Sequence, residues 1–200
     1  MEVERSNMQY QVENGWLSGA RRVPSPHCND RPDGAAIDLL VIHSISLPPG
    51  QYGGPYIDDF FQGHLDTSAH PYFEEIGALQ VSAHLLIDRE GVVTQYVPFD
   101  RRAWHAGQSE FCGRSNCNDF SIGIELEGID TDTYTDAQYS VLAEVAAAIM
   151  AAYPGVGPDT ITGHSDIAPG RKLDPGPGFL WQRFYRALDG VRGQRPEDAR

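Results

Sequence analysis

A chain of 200 residues, 40% hydrophobic and 10% aromatic, carries enough apolar side chain to bury one core. Its formal charge of -13 leaves no basic face in bulk to neutralise a phosphate backbone, which argues against nucleic-acid binding and for a small-molecule substrate. No stretch reaches the roughly 20 uninterrupted apolar residues that would span a bilayer, so membrane insertion is not expected.

Residues 1–15, MEVERSNMQYQVENG, mix acids, an arginine and amides, without the apolar segment of a signal peptide. They are read as an extension preceding one domain over 16–189, and the protein is expected in the cytoplasm. The cysteines Cys28, Cys112 and Cys117 are odd in number, which suits free thiols in a reducing compartment.

In chain order, DLLVIHS at 38–44 predicts a buried strand with Leu39, Val41 and His43 on one face and Leu40, Ile42 and Ser44 on the other. A glycine- and proline-rich loop follows at 47–55, and Pro55 is placed to open a short helix through Phe60 and Phe61. VSAHLLID at 81–88 and VVTQYV at 92–97 flank the turn residues Arg89, Glu90 and Gly91 and predict a hairpin. SIGIELEG at 121–128 predicts a further strand, its isoleucines on one face and Glu125 and Glu127 on the other. Thr135 and Gln138 form a capping box for a helix whose Leu142, Val145, Ile149 and Tyr153 recur at helical spacing until Pro154 stops it. A second long loop spans 162–178, an amphipathic helix runs from Phe179 to Leu188, and 190–200 is expected to be a disordered tail.

Seven histidines are present, and context separates them. His43 leaves a rigid strand, His164 sits in a glycine-flanked loop, and Asp174 follows ten residues later, before Pro175 and Gly176. Two neutral imidazoles and a carboxylate suit Zn²⁺ and leave a fourth position for water, the mark of a catalytic rather than a structural site. Lys172 lies two residues before Asp174, so an extended loop would point both side chains the same way, with the ammonium beside the metal to stabilise an oxyanion. Glu125 would be costly to bury without a partner and is the candidate general base. Taken singly, Lys172 reads equally well as a surface lysine and Glu125 as an acid on a sheet edge.

The strings VIHSISLPPG, HPYFEEI, VSAHLLI, RAWHAG, CNDFSIGIELEG, YTDAQY and TGHSDIAPGRKLDPG closely resemble the AmpD-like 1,6-anhydro-N-acetylmuramoyl-L-alanine amidases, from about Trp16 to Phe184. That family belongs with the zinc amidases of the phage-lysozyme and peptidoglycan-recognition type. The resemblance implies an α/β (α+β) single domain, a mixed central sheet flanked by helices. It also implies zinc on His43, His164 and Asp174, with Glu125 and Lys172 as catalytic partners. The implied substrate is the amide between the lactyl group of anhydro-muramic acid and L-alanine, in fragments recovered during cell-wall recycling.

Trp104 and His105, in RAWHAG, match a family segment near the substrate groove, though core packing serves Trp104 nearly as well. His84 reads as a structural histidine or one that orients a metal ligand, and Asn118 and Asp119 as turn residues. Related enzymes carry arginines where this chain has Gln80 and Asn116, which leaves Arg114 as the nearby candidate for the stem-peptide carboxylates, a solvated loop arginine being an equal reading. Ser44 replaces the asparagine common after the strand histidine. Rival readings are a muropeptide-binding module without turnover and an exported amidase acting on polymeric peptidoglycan. A monomer is expected.

Overall fold

The computed structural model describes residues 9–193. The outer part of the expected extension, 1–8, and the last residues of the expected tail, 194–200, lie outside the described residues.

Six strands form the central sheet: β1 (Arg21–Arg22), β2 (Leu39–Ile45), β3 (Leu85–Ile87), β4 (Val93–Gln95), β5 (Ser121–Glu127) and β6 (Ile161–Gly163). Their order is β6-β2-β5-β3-β4-β1, and only the β3–β4 pairing is antiparallel. The two longest strands lie side by side at the centre, in parallel register that puts Glu125 opposite His43. Period-two geometry then sends both side chains to the same face.

The other face carries the larger core. Leu40, Ile42, Ile122, Ile124 and Leu126 pack there against helix α3 (Asp136–Ala152), through Leu142, Val145 and Ile149, and against α5 (Trp181–Gly193), through Phe184 and Leu188. Thr135 caps α3 as its sequence predicts: its Oγ1 accepts from the Gln138 amide at 3.1 Å, and its own amide donates to Gln138 Oε1 at 3.0 Å. Leu39 and Val41 join Ala106, Cys117, Phe120 and Ile167 beneath the site face. A third cluster, built on Phe60, Phe61, Phe73, Leu86 and Tyr96, seats α1 (Tyr56–Gln62) and α2 (Pro71–Ile76) at its edge.

Several elements depart from the sequence reading. The first arm of the hairpin is strand only over Leu85–Ile87, because the His84 amide donates to the Gly123 carbonyl and the Ser82 amide to that of Trp104. Helix α5 begins two residues after Phe179 and runs on to Gly193. The short helix α2 carried no periodic signal; His70 caps it, its Nδ1 accepting from the Tyr72 amide at 3.1 Å. Tyr10 is buried in the larger core, and Val12–Glu13 pairs with Trp16–Leu17. Among the described residues no helix is long and apolar enough to cross a membrane.

Candidate metal centre

His43 sits near the C-terminal end of β2, 1% exposed, on a strand paired on both sides. His164 is the first residue of the short helix α4 (His164–Ile167), immediately after β6. The start of α4 is fixed by Asp166, whose Oδ2 accepts from the Gly163 amide at 2.9 Å and from Thr162 Oγ1 at 3.0 Å. Asp174 reaches back from the following loop, its carbonyl accepting from the Ser165 amide at 2.9 Å. Tyr134 Oη holds the next carbonyl, that of Pro175, at 2.9 Å. Gly178 lets this loop dock closely, since a Cβ there would come within 1.9 Å of the Asp132 carbonyl oxygen.

These supports bring three side-chain atoms together from positions 43, 164 and 174. His43 Nδ1 lies 2.9 Å from His164 Nδ1 and 3.1 Å from Asp174 Oδ2, and His164 Nδ1 lies 3.0 Å from the same oxygen. Lone-pair-bearing atoms so close need positive charge among them, either a proton or a metal ion. Burial pushes His43 down to about 4, against the pull of Asp174, so a second proton on this ring is disfavoured near neutrality. Burial works against the Asp174 charge, yet hydrogen bonding to His164 and His43 outweighs it and holds this carboxyl well below its usual 3.8. A carboxylate and neutral imidazole nitrogens make a borderline-hard donor set. Tetrahedral donors about 2.0–2.2 Å from a zinc ion stand about 3.3 Å apart, close to the spacing here.

Above the three atoms opens a cavity of about 490 Å³, lined also by Ser44, Trp104, His105, Glu125, Arg171 and Lys172. Phe60, Tyr72, Ile76 and Leu79 give it an apolar wall. Glu125 Oε2 is buried with no hydrogen-bond partner among the described residues. Burial, with Asp174 adding to it and Lys172 opposing, raises the Glu125 carboxyl well above its usual 4.5. An orphaned buried acid oxygen beside such a donor set is where a polar ligand or water is required.

The remaining sequence candidates separate. Trp104 lines the cavity, with its Nε1 donating to Asn29 Oδ1 at 2.6 Å and its ring stacked on His27. His105 also lines it, but both ring nitrogens are engaged by the protein, Nδ1 with His43 Nε2 at 2.8 Å and Nε2 with Ser121 Oγ at 3.1 Å. Arg114 is outside that lining; its Nη1 donates to Asp38 Oδ2 at 2.7 Å and its guanidinium lies over the Phe120 ring. His84 is removed from the three converging atoms: its Nδ1 accepts from the Gly123 amide at 3.0 Å, while Nε2 lies 3.1 Å from the Arg101 carbonyl and from Arg31 Nη2. Arg31, on a loop with no periodic signal, also donates to the carbonyls of Phe99, Asn118, Asp119 and Ser121, and burial brings it down to about 10. Arg171, adjacent to Lys172 in sequence, was not singled out there; its Nη2 donates to the carbonyl of Gln108 at 2.7 Å.

The family profile described as N-acetylmuramoyl-L-alanine amidase matches residues 33–177. The 1,6-anhydro-N-acetylmuramyl-L-alanine amidase AmpD of Escherichia coli K12 is 62% identical over 173 residues, 86% of this chain and 94% of that protein. A crystal structure of a selenomethionine derivative of AmpD superposes with a TM-score of 0.86 at 59% identity, covering 88% of this chain and 98% of that one. AmpDh3 of Pseudomonas aeruginosa, crystallised with an anhydromuramic pentapeptide, superposes with a TM-score of 0.57 at 31% identity, over 78% of this chain and 61% of its own.

Proposed function

Because the chain belongs to the N-acetylmuramoyl-L-alanine amidase family, we propose that it hydrolyses the amide between the lactyl group of 1,6-anhydro-N-acetylmuramic acid and the L-alanine of the stem peptide, using zinc held by His43, His164 and Asp174. The protein works in peptidoglycan recycling, acting on free muropeptides. The observation that carries this reading is the convergence of His43 Nδ1, His164 Nδ1 and Asp174 Oδ2 beneath a cavity that also presents Glu125 and Lys172. The ligand set and its spacing support zinc over harder divalent ions, which favour all-oxygen shells. The free thiols of Cys28, Cys112 and Cys117 support a cytoplasmic setting, and the reading takes the enzyme as a monomer.

Zinc bound there supplies Lewis acidity and a water acidic enough to be deprotonated near neutral pH. Glu125 is the group that takes the water's proton as the lactyl carbonyl is attacked, and its unpartnered Oε2 is the atom available to do so. Burial favours the acid once formed, so Glu125 keeps that proton until the alanine nitrogen leaves and then returns it there. The Lys172 ammonium lines the same cavity and opposes the negative charge that develops on the carbonyl oxygen. The apolar wall formed by Phe60, Tyr72, Ile76 and Leu79 excludes water around the scissile bond, and Trp104 lines the same cavity as a contact for the sugar.

The test is incubation of the protein with an anhydro-muropeptide and, separately, with intact sacculi, followed by mass spectrometry of the products. Release of the stem peptide from the free muropeptide, lost on chelation and regained with zinc, is the expected result. Release from sacculi instead would assign an exported wall amidase. Cleavage of neither by zinc-loaded protein would leave a muropeptide-binding module.

A further inference from the structure

The loop at 105–106 touches both histidines of the metal centre from the side away from the ion's position. His43 Nε2 lies 2.8 Å from His105 Nδ1, and His164 Nε2 lies 3.1 Å from the Ala106 carbonyl oxygen. A carbonyl only accepts, so the His164 contact fixes the hydrogen on Nε2 and leaves Nδ1 bare. The His43 contact has the same sense when the His105 hydrogen sits on Nε2, donated to Ser121 Oγ at 3.1 Å. Two consecutive residues thus face two ligands that come from different parts of the chain.

What holds this dipeptide is one buried side chain. Asn118, 6% exposed, directs Oδ1 at both backbone amides, accepting from His105 at 3.1 Å and from Ala106 at 2.8 Å. Asn118 is itself anchored, its carbonyl accepting from Arg31 Nη1 at 3.1 Å. Arg171 Nη2 donates to the Ala106 carbonyl at 2.5 Å. The His105 ring has room because residue 123 is glycine; a Cβ there would meet its Cγ at 2.5 Å. Asn118 lies in the turn Cys117–Asp119 that leads into β5, so the strand carrying Glu125 and the clamp on both ligands share one support.

We propose that Asn118 and His105 are positioning residues for the metal: Asn118 Oδ1 fixes the 105–106 backbone, which sets both His43 and His164 in the Nε2–H tautomer and aims both Nδ1 atoms at the ion. The inference rests on the metal-centre reading above. Groups that hydrogen-bond the far nitrogen of a ligating histidine fix its tautomer and orientation, and their loss lowers metal affinity by about 10–100-fold. Asn118→Ala removes the acceptor shared by two amides. His105→Phe keeps a ring of similar volume and removes the acceptor facing His43. Asn118→Asp keeps oxygens in place of Oδ1 and should restore binding.

The experiment has two arms, neither of which uses substrate, so failure of hydrolysis and failure of this inference are separately visible. In the first, nitrogen-15 NMR of the histidine rings in zinc-loaded full-length protein reads directly which nitrogen of each ring carries the hydrogen. The expected result is hydrogen on Nε2 of both His43 and His164. In the second, zinc is competed against a chromophoric chelator at neutral pH, with circular dichroism confirming the fold of each variant. Asn118→Ala and His105→Phe are expected to bind zinc about 10–100-fold more weakly than wild type, with Asn118→Asp close to wild type. Hydrogen on His43 Nδ1 in the wild-type spectra overturns the proposal, even if a variant fails to fold. So does wild-type zinc affinity in folded His105→Phe or Asn118→Ala.

Discussion

Replacing Glu125 by glutamine should stabilise the metal-free protein while abolishing its turnover. Glu125 is buried, its Oε2 has no partner among the described residues, and its carboxyl is raised well above 4.5. The folded protein therefore keeps a proton that the unfolded chain releases near 4.5, so the wild type loses stability as pH rises. Between 4.5 and the folded-state value the loss is about 1.4 kcal/mol per pH unit. Glutamine has the same shape and no charge to bury, so its advantage should grow with pH over this interval and vanish below 4.5. At about 2–4 °C per kcal/mol for a domain of this size, the melting temperatures should separate by about 3–6 °C per pH unit. The assay is thermal unfolding of chelator-treated wild type and Glu125→Gln across pH 4 to 8, with hydrolysis of an anhydro-muropeptide by the zinc-loaded proteins alongside. Melting curves that stay parallel across that range would refute a buried, proton-holding Glu125, and near-normal turnover in the variant would refute its role as the base.

Lys172→Ala should lower turnover by on the order of 10²–10³-fold, the usual cost of one oxyanion donor, with metal content by atomic absorption unchanged because Lys172 is not among the converging ligands. Arg114→Ala should leave KM for the muropeptide unchanged, since its guanidinium is committed to Asp38 and Phe120 outside the cavity, and stability by denaturant titration should fall by no more than about 1 kcal/mol. Phe184→Ala opens a void where α5 meets the sheet and α3; it should cost about 3–5 kcal/mol in urea unfolding while leaving zinc affinity in the folded protein near wild type.

The central strand of His43, the strand of Glu125 and the capped helix α3 were legible in the chain because each is long enough for its hydrophobic period to show. Alternation along 38–44 also assigned the faces correctly: Leu40 and Ile42 meet the helices while His43 turns the other way with Glu125. Strands β1 and β6, two and three residues long, carry too few side chains to show a period. Helix α2 begins at Pro71 behind a histidine cap, which is not one of the usual capping signals.

By itself, then, the sequence determined the chemistry available: two imidazoles, two carboxylates and a lysine, with the motifs that tie them to an amidase family. Tertiary structure alone decided how the supporting residues are shared out. Arg114 is near the site's turn in sequence yet spends its charge on Asp38, while Arg171 braces the Ala106 carbonyl that receives His164. Asn118 lies in a turn, as its sequence suggests, and in addition accepts from the two amides behind the metal ligands. The physical reason is that hydrogen bonds to backbone groups depend on where the chain returns in space, and no residue type or spacing along one strand encodes that return.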